Sequence, residues 1–219
     1  MSPNVLFITV RLGGIVLSEK DKQKVWIKFI IYTLVVGGIV AAFSVMSDHL
    51  PLVTSMTTPE LMVSYVAIML NSLPGWFIMA MFVGYVFGTR TRQAACFGSL
   101  YIISSITMYF VIGHFYNDQP DSVVWSLKDI IYIFITWYGA SVVGGIVGGI
   151  VGFLFIKKPV VLVTLPAGLL LQLFLNGTRG WSDILGMAQS VTYCLIIISV
   201  FIYFFRLKTI KNKKVKHFA

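Results

Sequence analysis

Six long apolar runs separated by short polar stretches dominate the chain: Phe29–Ser47, Leu61–Gly88, Ala94–Gly113, Ile130–Ile156, Pro159–Leu175 and Ile184–Phe205. A helix that crosses a bilayer needs about 20 residues of this kind, with a range of about 17–25. All six runs meet that length, and the second and fourth exceed it. The pattern predicts an all-α membrane protein, a bundle of six transmembrane helices. Upstream, the apolar stretch Val5–Leu17 is too short to span and contains Arg11. It predicts an N-terminal helix lying in the membrane interface, with Arg11 reaching back to the headgroups. No small-x-small cleavage site follows it, so it does not read as a signal peptide.

Composition agrees with the pattern. Of 219 residues, 58% are hydrophobic and 11% charged, and mean hydropathy is +0.88. Little chain is left over for a soluble domain, so residues 1–219 read as one membrane domain. Residues 1–26 form a cytoplasmic or interfacial segment, 27–205 the bundle, and 206–219 a basic tail.

The net charge of +9 raises the question of nucleic acid. Its distribution answers it. With the N-terminus in the cytoplasm and sides alternating, 15 of the 17 basic residues fall on the cytoplasmic side, and only Lys128 and Arg179 fall outside. That is the positive-inside pattern. It predicts two cytoplasmic termini, a bacterial cytoplasmic membrane and no nucleic-acid partner.

The chemistry-bearing residues are mostly absences. No run contains Asp, Glu, Lys, Arg or His. Intramembrane ionisable groups usually mark proton relays and ion-coupled carriers, so neither a proton-driven antiporter nor an intramembrane metalloprotease is expected. No P-loop, His-Glu-x-x-His or Gly-x-Ser-x-Gly pattern occurs. Cys96 and Cys194 have no metal spacing. The expectation is no catalytic residue, no metal and no cofactor.

Uncharged polar residues remain within the runs. Asn71 and Gln172 stand out, because each carries a full amide beside a helix-weakening proline, in 71-NSLPGW-76 and 164-TLPAGLLLQ-172. With Trp76 and Trp137 they form the candidate ligand-binding set. Each Leu-Pro lies in the middle helix of a three-helix half. Interrupted helices at matching positions in two inverted halves point to a transporter's binding site, so the pair raises an inverted repeat. His49 and His114 fall at outer ends of spans, where solvated loop residues are the plain reading.

The fourth run holds 142-VVGGIVGGIVGFLF-155. At about 100° per residue, Ser141, Gly144, Gly145, Gly148, Gly149 and Gly152 fall in one arc, opposite the branched aliphatics. In lipid a bare face of this kind lets backbones approach closely. These six are the predicted helix-packing residues.

The segment 71-NSLPGWFIMAMFVGYVFGTRTRQAACFGSLYIISSITMYF-110 resembles an uncharacterised bacterial family, a domain of unknown function in small multi-pass membrane proteins. Asn71, Ser72, Trp76, Gly84, Arg90, Gly98 and Tyr109 carry the likeness. Trp137, Gly144, Gly148 and Lys157 would continue it as a Trp-led, Gly-rich helix ending at a basic turn. The likeness covers roughly residues 60–175, although this chain is richer in lysine and branched aliphatics than the family. It implies architecture and no particular activity. Size and topology are also similar to the substrate-binding subunits of energy-coupling-factor transporters, which dock a partner through small residues on the first helix, here Gly38 and Ala42. The permease subunits of two-component ABC exporters likewise begin with an interfacial helix. Both are class-level likenesses.

Together these point to a substrate-binding or permease subunit of a membrane transport system, handling a small or amphipathic, mostly uncharged ligand. The short inner loops leave no room for an ATPase domain, so a partner subunit such as a separate ATPase would supply energy. A homo-oligomer through the glycine face is also compatible. The alternative is a non-transporting accessory, immunity or assembly protein that acts through helix contacts.

Overall fold

In hydrocarbon every backbone N–H and C=O must find its partner inside the protein, so apolar runs of this length become helices. The computed structural model describes residues 19–50, 56–116, 126–155 and 157–217, and all of its regular elements are helical. The expected interfacial helix over Val5–Leu17 lies outside the described residues, as do Asp118, Asp121 and Trp125.

Helix α1 (Glu19–Tyr32), a π turn (Thr33–Gly37) and α2 (Gly38–Asp48) run on as the first span. The π turn sits where this span presses on α5 (Thr91–Tyr116). A Cβ placed on Gly37 would stand 2.6 Å from the Ser105 Oγ.

The second run is not one rod. It forms α3 (Thr58–Asn71) and α4 (Leu73–Phe87), bent by 67° to each other. The local cause is legible. Ser72 adopts an extended conformation, and its Oγ accepts from the Gly75 N–H at 3.1 Å while donating to the Met69 carbonyl at 2.7 Å. Pro74 follows, in the first turn of α4, where a missing N–H costs nothing. At 1.5 Å per residue, α3 is about 21 Å long and advances only about 8 Å along the direction of α4. With about 22 Å from α4 itself, the pair covers about 30 Å, just the thickness of a hydrocarbon core.

Helix α6 (Leu127–Phe155), α7 (Thr164–Asn176) and α8 (Ile184–His217) complete the bundle. A 3₁₀ turn, Pro159–Val163, leads into α7 and a second, Gly177–Trp181, follows it. Gly177 has φ +50°, a conformation that strains any side-chain-bearing residue. Among the described residues five helices are long and apolar enough to cross a membrane, six if the bent pair is counted as one span. Helix α8 continues to His217, so the basic tail extends the last span beyond its apolar part.

One end of the bundle carries the basic turns at Arg90–Arg92 and Lys157–Lys158, and there Phe29, Phe87 and Phe97 pack ring against ring. The other end carries Asp48, Glu60, Asp129 and Asp183. Helix α3 lies near that end and ties the first span to the last. Asn71 reaches Ser47 and Asp48, and the Tyr65 hydroxyl meets the Thr192 hydroxyl at 2.6 Å.

The two Leu-Pro motifs are not equivalent, contrary to the expectation of matched interruptions. The first marks the 67° break. The second lies in the first turn of α7, within one uninterrupted crossing, Pro159–Asn176. Proline is tolerated in a first turn because no earlier carbonyl awaits its N–H.

Candidate ligand cavity

Helix α6 is where two surfaces diverge. Gly145, Gly148, Gly149 and Gly152 are buried against α4 and α5. A Cβ on Gly145 would lie 2.8 Å from the Gly98 carbonyl oxygen, and one on Gly148 would lie 2.7 Å from the Ala80 Cβ. Gly149 lies backbone to backbone against Ala94, and Gly152 against Met81. Gly144 departs from this set. A Cβ there meets nothing within 4 Å, because the residue faces a cavity.

That cavity has a volume of about 500 Å³. Its walls come from Asn71 at the end of α3, from the start of α4 (Leu73, Pro74, Trp76 and Phe77), from Ile102 and Ile106 of α5, from α6 and from α7. All four candidate ligand residues line it: Asn71, Trp76, Trp137 and Gln172. Ser141 lines it too, donating from Oγ to the Trp137 carbonyl at 2.7 Å. The break at Ser72 is what brings Asn71 here: a straight helix would carry it along the axis instead of ending beside the cavity.

Helix α6 packs on α4 and α5, and α7 packs on α8 and α4, yet α6 and α7 do not pack on each other along their length. They approach through the 3₁₀ turn at the basic end. Between them the cavity is flanked by Trp137 and Val147 on one side and by Leu171 and Leu175 on the other, all substantially exposed. Gly168, on α7, has open space before it, as Gly144 does on α6. The cavity thus opens sideways, toward where acyl chains would lie.

Among the described residues no ionisable side chain lines it. The amide nitrogens are already committed. Asn71 Nδ2 donates to Ser47 Oγ at 2.6 Å and to Asp48 Oδ1 at 3.1 Å, and Gln172 Nε2 donates to Asn176 Oδ1 at 2.8 Å. The Thr164 hydroxyl donates to the Val161 carbonyl. What these groups retain for a ligand is two amide oxygens and two hydroxyl oxygens as acceptors and the second N–H of Gln172 as a donor. Trp76 and Trp137, which also line the cavity, each carry an indole N–H donor. Sequence reasoning did not find Ile102 and Ile106, since an isoleucine facing a cavity is indistinguishable in sequence from one facing lipid. The contact between Asn71 and Asp48 is likewise hidden in the sequence, where the two stand 23 positions apart.

Among the described residues no group of three His, Cys, Asp or Glu side chains is placed to hold a metal ion. Comparison with protein-family models, with curated proteins and with solved structures gives no match for this chain.

Proposed function

We propose that this protein takes up a small neutral or amphipathic molecule from the bilayer and holds it in the cavity among α4, α5, α6 and α7, as the binding or permease subunit of a transport system. The observation that carries this reading is a charge-free cavity, open sideways between α6 and α7, with a few polar groups in an apolar wall. Its volume of about 500 Å³ falls within the usual range for small-molecule sites, about 300–1,000 Å³. The few acceptors and donors of the wall favour a ligand with a hydroxyl or amide group on an apolar body. Energy would come from a separate ATPase chain, since this chain carries no nucleotide-binding motif.

Native mass spectrometry of the purified protein tests the reading. The wild type should retain a ligand of discrete mass, and the Asn71→Ala and Gln172→Ala variants should each lose most of it. Full retention and full cellular activity in both variants would contradict the proposal. The gap between α6 and α7 also supports the second reading, an accessory or assembly role, because it could seat a helix of another chain. Under that reading a stable partner chain co-purifies and the small ligand is absent.

A further inference from the structure

A second cavity, of about 1,000 Å³, lies at the acidic end of the bundle among α2, α5 and α6. Its wall includes the imidazoles of His49 and His114 and two further parts that bear on recognition. One is a run of aromatic rings. Phe110 lies 4.9 Å from Phe134 and 6.1 Å from Tyr138 between ring centroids, and Phe134 and Tyr138 stack at 5.9 Å with planes 15° apart. The other is one carboxylate, Asp48, held by two neutral donors. The Tyr109 hydroxyl donates to its Oδ2 at 2.6 Å and Asn71 Nδ2 to its Oδ1 at 3.1 Å. No Lys or Arg pairs with it among the described residues, where the ion pair seen is Lys24–Asp21, at the opposite end.

A fixed carboxylate beside π-faces is how proteins recognise organic cations, whose diffuse charge suits a ring and whose weak hydration is cheap to strip. A divalent metal fits poorly, since among the described residues no three His, Cys, Asp or Glu side chains are placed together to hold one. We infer that this cavity binds an organic ammonium group, quaternary for preference, with Asp48 as counter-ion and Phe110, Phe134 and Tyr138 as its aromatic wall. The group could belong to a free solute or to a phosphocholine lipid headgroup, because the cavity lies at the end of the spans, where headgroups lie. The two cavities share Asn71, which lines the first and holds Asp48 in the second, but neither reading depends on the other.

The test uses the full chain in a maltoside detergent and titrates tetramethylammonium by calorimetry, with sodium as the counter-titration. Saturable binding that sodium does not compete away is expected. Asp48→Asn, which keeps an acceptor for Tyr109, should weaken it about tenfold or more. Phe134→Leu, at a half-exposed ring, should weaken it severalfold with the fold intact. In nanodiscs, phosphocholine lipid that lowers tetramethylammonium affinity where phosphoglycerol lipid does not identifies the headgroup as the source. Equal affinity in the two lipids, with choline competing, identifies a free solute. Absence of saturable binding, or binding unchanged in both variants, overturns the inference.

Discussion

At the scale of single residues, a helical wheel divides α6. With Gly144 at 0°, Gly148, Gly152, Gly145 and Gly149 fall between about 40° and 140°, and these meet the backbones of α4 and α5. Trp137, Gly144, Ala140 and Val147 fall from about 20° back through 0° to about 300°, and these line the cavity. Ser141, at about 60°, sits on the border and serves both. The two faces make opposite predictions. Gly149→Ala should destabilise the protein by about 1–3 kcal/mol, the usual cost of overpacking, because its methyl would meet the Ala94 backbone. Gly148→Leu should be worse. Gly144→Ala should be neutral or stabilising by up to about 1 kcal/mol, since the native conformation is helical and the space is open. Thermal unfolding in detergent checks all three, and a Gly144→Ala as damaging as Gly149→Ala would refute the division. The arc of small residues was legible in the sequence. Its edge was not, because periodicity shows which residues share a face and not how far a neighbouring helix reaches around it.

At the scale of elements, the break at Ser72 was written locally. A serine able to cap, a proline two residues on, and a glycine that must lie close to the Met69 carbonyl all favour ending one helix and starting another. The proline in α7 looks identical in sequence and has a different effect, because Thr164 begins its α-helix just two residues earlier. Helix starts, more than prolines, decide the outcome. The π turn at Thr33–Gly37 left no sequence signal, since it answers to the packing of Ser105 and Tyr101 from α5. The start of α3 is fixed by a capping box. Glu60 Oε2 accepts from the Thr57 N–H at 2.6 Å and from its hydroxyl at 2.8 Å. These bonds favour the ionised form and hold the Glu60 carboxyl below its ordinary value of 4.5. The folded pKa is lowered, so the cap's contribution is complete above the unfolded value and fades as pH falls through the folded one. The Thr57 amide proton shift should therefore titrate with a midpoint below 4.5; a midpoint at or above that value would show that the cap is not formed.

At the scale of the whole molecule, the apolar runs specified the spans and their order. The pairing of those spans was hidden, including the separation of α6 from α7 that opens the cavity. That separation reflects crowding elsewhere: the glycine face draws α6 against α4 and α5, while Leu165, Leu169, Tyr193 and Ile197 bind α7 to α8. The basic turns give a further expectation, that the Arg90 and Lys157 ends face the cytoplasm. In intact cells a membrane-impermeant thiol reagent should label Thr178→Cys and spare Lys158→Cys. The reverse pattern would invert the topology.

The central claim is that the cavity holds a specific neutral ligand, and photo-crosslinking from its wall tests that most directly. A benzophenone side chain at position 144 faces the cavity, whereas one at Val143, 63% exposed on the outer face of the same helix, faces lipid. Irradiated membranes should yield one discrete adduct mass from position 144 and a mixture of bulk lipids from position 143. The same mixture from both positions would mean that the cavity is only a crevice filled by bilayer.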